Sequence, residues 1–219
     1  MIDAKYSKYR RLFPRIRVSW TAFHFWEAGQ YKQLWTYLAE MAGVYTGAMR
    51  TGVDLHTAVE NELILKFDEE PVTIYSESQM KLELPIGDEG MMVGQLDKLI
   101  IFRNNIGKII DYKSGKLYPY YGKQIVFYAV LARMVKGIPV DEGYVVPIRW
   151  DQDYQTAVAN GKPLCVTMSD RKIGEMYEQV KNCLYDISWR LECGEFDDFI
   201  SSCEPPSSFS SSQTDSPSV

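Results

Sequence analysis

Between Val72 and Ile148 the spacing of apolar residues switches from that of strands to that of a helix and back, and no other feature constrains the fold as much. Residues 72–84 alternate in part, 91–102 are rich in Met, Val, Ile and Leu, and 108–113 form a shorter apolar run. Gly87 to Gly90 and Asn104-Asn105-Ile106-Gly107 separate them with turn-forming residues, which predicts three consecutive strands joined by hairpins. From Tyr120 to Lys136 the apolar residues fall at 125, 126, 129, 130 and 134, a helical period that stops at Gly137 with Pro139 just beyond. A strand over 143–148, approached from Val140, comes next, then a loop or irregular hairpin over 150–161, and then residues 164–168. Ser169 is placed to cap a last helix from Asp170 to about Cys193.

Upstream, Ser19 is an expected N-cap for a short aromatic helix ending near Gly29, and Tyr31 to Met41 carries Leu34, Tyr37, Leu38 and Met41 on one side. Thr51, with Asp54 three residues on, opens a third helix predicted to run to about Lys66 and to carry His56 and Glu60. Helices, three strands, helix, strand, helix is the order of an α/β (α+β) fold in which helices flank a central mixed sheet.

A chain of 219 residues, 46% hydrophobic, can bury one core of good size. Residues 18–200 are expected to be that folded domain. Residues 1–17 form a basic segment with a local charge of +5, and 204–219 a Ser/Pro-rich tail with too little apolar content to offset the entropy of ordering it. The formal net charge of −5 argues at first against a nucleic-acid partner. Residues 197–219 contribute −4 of it, so residues 1–196 stand near neutrality. No apolar run reaches the roughly 20 residues of a membrane span, and the N-terminus lacks a signal-peptide core, which makes a cytoplasmic location the expectation and a membrane partner unexpected. Cys165, Cys183, Cys193 and Cys203 have no CxxC spacing and are expected to be free thiols.

Phosphate-loop, dinucleotide, GxSxG and HExxH signatures are all absent, and only His24 and His56 are available as histidines, so any chemistry must lean on carboxylates. The informative segments are Gly94-Gln95-Leu96-Asp97 and Asp111-Tyr112-Lys113-Ser114-Gly115. Strand alternation puts Asp111 and Lys113 on one face and Tyr112 on the other. If the intervening hairpin brings Asp97 and Asp111 together, two carboxylates converge in a way that suits a hard divalent cation. A lysine beside them would counter phosphate charge or orient an attacking water. The Asp-x-Lys pattern alone is more often that of a surface ion pair. Gln124 and Tyr128, four residues apart, share one face of the helix that follows.

Taken together, Gly52-x-x-x-His56, Gly94-x-x-Asp97, Asp111-x-Lys113 and Gln124-x-x-x-Tyr128 resemble, in order and spacing, the PD-(D/E)xK nuclease superfamily and its RecB-like (RecB/Cas4-type) branch. The resemblance implies a restriction-endonuclease-like core. It implies metal ligation by His56, Asp97, Asp111 and the backbone carbonyl of Tyr112, with Mg²⁺ or Mn²⁺ as the ion, and Lys113 as the catalytic lysine. Gln124 and Tyr128 would position that lysine and contact nucleic acid. Glu60 and Glu77, the latter on the first strand, are weaker candidates, and His24 is expected to pack among aromatic rings. Tyr112, Tyr118, Tyr120 and Tyr121 would stack either on bases or on one another. Several relatives carry an iron–sulfur cluster on one early and three late cysteines; this sequence has no cysteine before Cys165 and wide spacing after it, so no cluster is expected.

The activity implied is metal-dependent hydrolysis of DNA phosphodiester bonds, exonuclease-type, in recombination, repair or phage DNA processing, within a bacterial or phage-infected cell. The alternative is a non-catalytic nucleic-acid-binding accessory protein that retains the fold.

Overall fold

The computed structural model describes residues 15–41, 65–88, 90–151 and 157–203. The expected helix from Thr51 lies outside them except for its last two residues, Leu65 and Lys66, which are not helical.

Helix α1 (Trp20–Glu27) is capped by Ser19, whose side chain accepts from the Ala22 amide at 3.3 Å, and α2 (Tyr31–Met41) follows it directly. Strand β1 (Ile16–Val18) precedes them and pairs in parallel with β4 (Gly90–Gln95); β4 pairs antiparallel with β3 (Lys81–Ile86), giving a three-stranded sheet. A second sheet has the order β2 (Thr73–Ser76), β5 (Lys98–Ile101), β6 (Gly107–Ser114), β7 (Val140–Trp150) and β8 (Ala157–Ala159), with β9 (Leu164–Thr167) also on β7. Its β6–β7 pair is parallel and its other pairs are antiparallel, so it is the mixed sheet flanked by helices that the sequence predicts.

Two expected strands are each broken. Residues 72–84 form β2 and β3 with a 3-10 turn, Glu77–Gln79, between them, and residues 91–102 form β4 and β5 on either side of Leu96-Asp97. The breaks face each other: Ser76 pairs with Lys98 and Lys81 with Gln95, so one antiparallel ribbon bends from the first sheet into the second. Glu77 therefore lies on that turn rather than on a strand.

Helix α3 (Tyr121–Lys136) makes the parallel crossover from β6 to β7 that two parallel strands require. It ends where Gly137 takes the left-handed φ of 68° and donates to the carbonyls of Ala132 and Arg133. Its height above the sheets is set by two glycines. A Cβ on Gly94 would lie 2.6 Å from Leu131 and 3.1 Å from Tyr128, and one on Gly143 would lie 2.1 Å from Ile125. The helix can rest on the strands only where side chains are missing. Around it, α4 (Asp170–Glu192) and α5 (Glu195–Cys203) complete the main core, with Val180, Cys183, Leu184, Ile187 and Phe196 buried. The opposite face of the second sheet buries Ile100, Phe102, Ile110, Tyr112, Val146 and Ile148.

Candidate active site

Asp97 reaches β6 next to Asp111 because β5 stops where β6 continues. Lys98 pairs with Ile110, and the kink at Asp97 then takes the chain away, leaving the next amide of β6 without a ladder partner. The Asp97 carboxylate fills the gap: its Oδ2 accepts from the Tyr112 amide at 2.6 Å, a charge-assisted bond. Asp111, one residue earlier on β6, is 1% exposed, and its Oδ2 lies 2.8 Å from Lys113 Nζ. Lys113 and Asp111 share a face as the strand period requires, and the Tyr112 ring goes to the opposite core. The Lys113 ammonium also sits 5.3 Å from the centre of the Tyr121 ring.

Gly94-Gln95-Leu96-Asp97 thus has a physical role at three of its four positions. Gly94 admits α3, the fully buried Leu96 pins the bend, and Asp97 replaces the missing ladder partner. On α3, Gln124 Nε2 donates to the Tyr128 hydroxyl at 2.9 Å, and both side chains are buried. Burial pushes the Tyr128 phenol well above its ordinary pKa, and the charges of Asp111, Asp97 and Glu77 add to the shift, partly opposed by the bond from Gln124. Tyr128 is therefore a neutral phenol. Burial, with Tyr120 and Asp111 nearby, likewise raises the pKa of Tyr121.

The structure brings together Asp97, Asp111, Lys113, Tyr128 and Gln124, with Glu77 close enough to act on Tyr128. His56 and Glu60 lie outside the described residues. Among the described residues, no three His, Cys, Asp or Glu side chains approach closely enough to form a metal site by themselves. What they supply is a pair of carboxylates, hard oxygen donors of the kind that Mg²⁺ and Mn²⁺ prefer. His24 does pack among rings, with Tyr120 at 4.5 Å and Trp20 at 5.8 Å between centres. Sequence reasoning missed Lys98, which is 2% exposed with its ammonium 6.0 Å from the Tyr112 ring centre. A charged residue next to Asp97 at the head of an apolar run was the available signal.

The chain matches no protein-family model, and no curated protein matches it in sequence. Among solved structures, it is similar to the crystal structure of LHK-Exo in complex with dAMP, with a TM-score of 0.50 at 14% identity, over 86% of this chain and 95% of that one. The crystal structure of SSO0001 also matches, with a TM-score of 0.38 at 13% identity, over 84% and 90% of the two chains. The first likeness is one of fold, and it spans nearly all of LHK-Exo. No helix among the described residues is long and apolar enough to cross a membrane.

Proposed function

We propose that this chain is a divalent-metal-dependent nuclease of the PD-(D/E)xK type, RecB-like, that hydrolyses phosphodiester bonds of DNA. The observation that carries the reading is the junction of Asp97, Asp111 and Lys113 at one end of β6, which supplies two carboxylates and an ammonium, with the Gln124–Tyr128 pair on the helix that follows. The shared fold with LHK-Exo, crystallised with a deoxynucleoside monophosphate, supports DNA as the substrate and release from an end as the mode of action.

In this reading His56, Asp97, Asp111 and the Tyr112 carbonyl would hold Mg²⁺ or Mn²⁺. The bound ion supplies an acidified water and polarises the phosphoryl oxygen. Asp97 stays oriented because its other duty is to the Tyr112 amide. Lys113, held between Asp111 and the Tyr121 ring, neutralises charge gathering on the phosphate and orients the attacking water. Gln124 and Tyr128 are too buried to offer much surface to nucleic acid, so their role is to fix the floor of the site. Glu77 joins the negative potential that attracts the ion, and Glu60 is kept as a weaker candidate.

No iron–sulfur cluster belongs to this reading. Cys183 is a core residue whose thiol pKa is raised by burial.

Incubating end-labelled linear and closed circular DNA with the protein and Mn²⁺ tests the proposal, with Mn²⁺ binding followed by calorimetry. Saturable Mn²⁺ binding with loss of the linear substrate is expected, and sparing of the circle supports action from an end. DNA binding without Mn²⁺ uptake or cleavage would replace the nuclease reading with that of an accessory protein.

A further inference from the structure

Beside Lys113 the loop after β6 carries Tyr118, Pro119, Tyr120 and Tyr121, and the rings are ordered. Tyr118 and Tyr120 are nearly parallel, 10° apart with centres at 5.5 Å. His24 stacks on Tyr120 at 24° and 4.5 Å, and Trp20 on His24 at 22° and 5.8 Å. Four rings therefore run as one column from Trp20, which is buried, to Tyr118, which is 44% exposed. Tyr121 braces the column edge-on, at 4.5 Å from Tyr120 and 5.9 Å from Tyr118, and its own ring lies under the Lys113 ammonium. Pro119 fixes the backbone between the two outer rings.

At the outer end of this stack lies the exposed Tyr118 ring. A flat aromatic group laid there continues the stack, and since the rings below are already held, little side-chain freedom is lost on binding. Lys116, with its ammonium 6.0 Å from the Tyr118 ring centre, provides a cation for a neighbouring phosphate. The column also adjoins the candidate reaction centre through Tyr121 and Lys113. The geometry points to Tyr118 as the outer step of a base-stacking platform that takes unpaired nucleotides of single-stranded DNA next to the site. The interior of a duplex cannot use the platform, because the faces of its bases are already stacked on each other. This inference rests on the nuclease reading for its biological sense, but its test is a binding measurement that needs no cleavage.

Fluorescence anisotropy without divalent metal would compare the wild-type protein with Tyr118→Ala and Tyr118→Trp. The probes are a labelled single-stranded oligodeoxynucleotide, the same strand with abasic sites, and a closed circular duplex, which has no terminal base pair. Tyr118→Ala should weaken single-strand binding by about five-fold to about a hundred-fold, the range for losing one base–aromatic stack. Tyr118→Trp should retain binding, and the abasic strand should bind weakly and respond little to Tyr118→Ala. Unchanged affinity in Tyr118→Ala, or equal losses for intact, abasic and duplex DNA, would overturn the platform even if cleavage is found. The expected pattern without any cleavage would keep the platform and remove the nuclease.

Discussion

Each decisive residue here answers a local physical demand before it answers a chemical one. Asp97 is where it is because an amide on β6 lost its ladder partner, and Lys113 faces Asp111 because strands alternate. Asp186 on α4 shows the same economy far from the site. Its Oδ2 accepts from Trp26 Nε1 at 2.9 Å, from the Tyr31 hydroxyl at 3.1 Å and from Arg190 Nε at 2.9 Å, which joins α1 and α2 to α4. Burial pushes its pKa up, but those hydrogen bonds win and hold it below the ordinary aspartate value. A carboxylate with a depressed folded pKa stabilises the fold above its unfolded pKa, near 3.9, and loses that contribution as the pH falls through the folded value. Asp186→Asn should therefore flatten the acid side of the melting-temperature profile below about pH 4. A parallel profile for the two proteins would refute this role.

At the scale of elements, α3 was the most legible part of the chain, because its period and its Gly137-Ile138-Pro139 stop agree. The breaks in the ribbon at Glu77–Gln79 and at Leu96-Asp97 were not legible. β-type sequence runs through both, and the bend arises from passage between two sheets, a tertiary cause with no local signature. Helix α5 was missed because the last helix was expected to end near Cys193, and nine residues with an acidic start and a serine-rich end show little helical period. Strand β8 pairs antiparallel with the end of β7, as the hairpin alternative for residues 150–161 expects, although three residues are too few to show a period. The glycines of β4 and β7 yield a direct prediction. Ile125 is β-branched and fixed on a helix, so it cannot move aside, and Gly143→Ala must lift α3 from the sheet. A cost of about 1–3 kcal/mol is expected, visible as a melting temperature lower by several degrees. The same lift would move Gln124 and Tyr128 and slow cleavage. An unchanged melting temperature would show that α3 does not rest on that glycine.

For the whole molecule, the sequence conveyed the class of fold and the convergence of two carboxylates and a lysine, because both follow from periodicity and short-range register. It did not convey the second sheet, the double burial of β6, or the ring column that joins α1 to the loop after β6, all of which depend on long-range packing. The charge objection also weakens, since residues 1–196 are near neutral once the four acids of residues 197–219 are set aside. The central claim is that the Asp97–Asp111–Lys113 junction hydrolyses DNA with a divalent metal. The most direct test is the single-turnover rate of Mn²⁺-dependent cleavage of end-labelled DNA by the wild type, Asp111→Ala and Lys113→Ala, each checked for a cooperative melt. Losses of roughly a hundred-fold or more in both folded variants are predicted, since each removes a group that acts on the charge of the transition state. Equal rates in all three proteins would contradict the account.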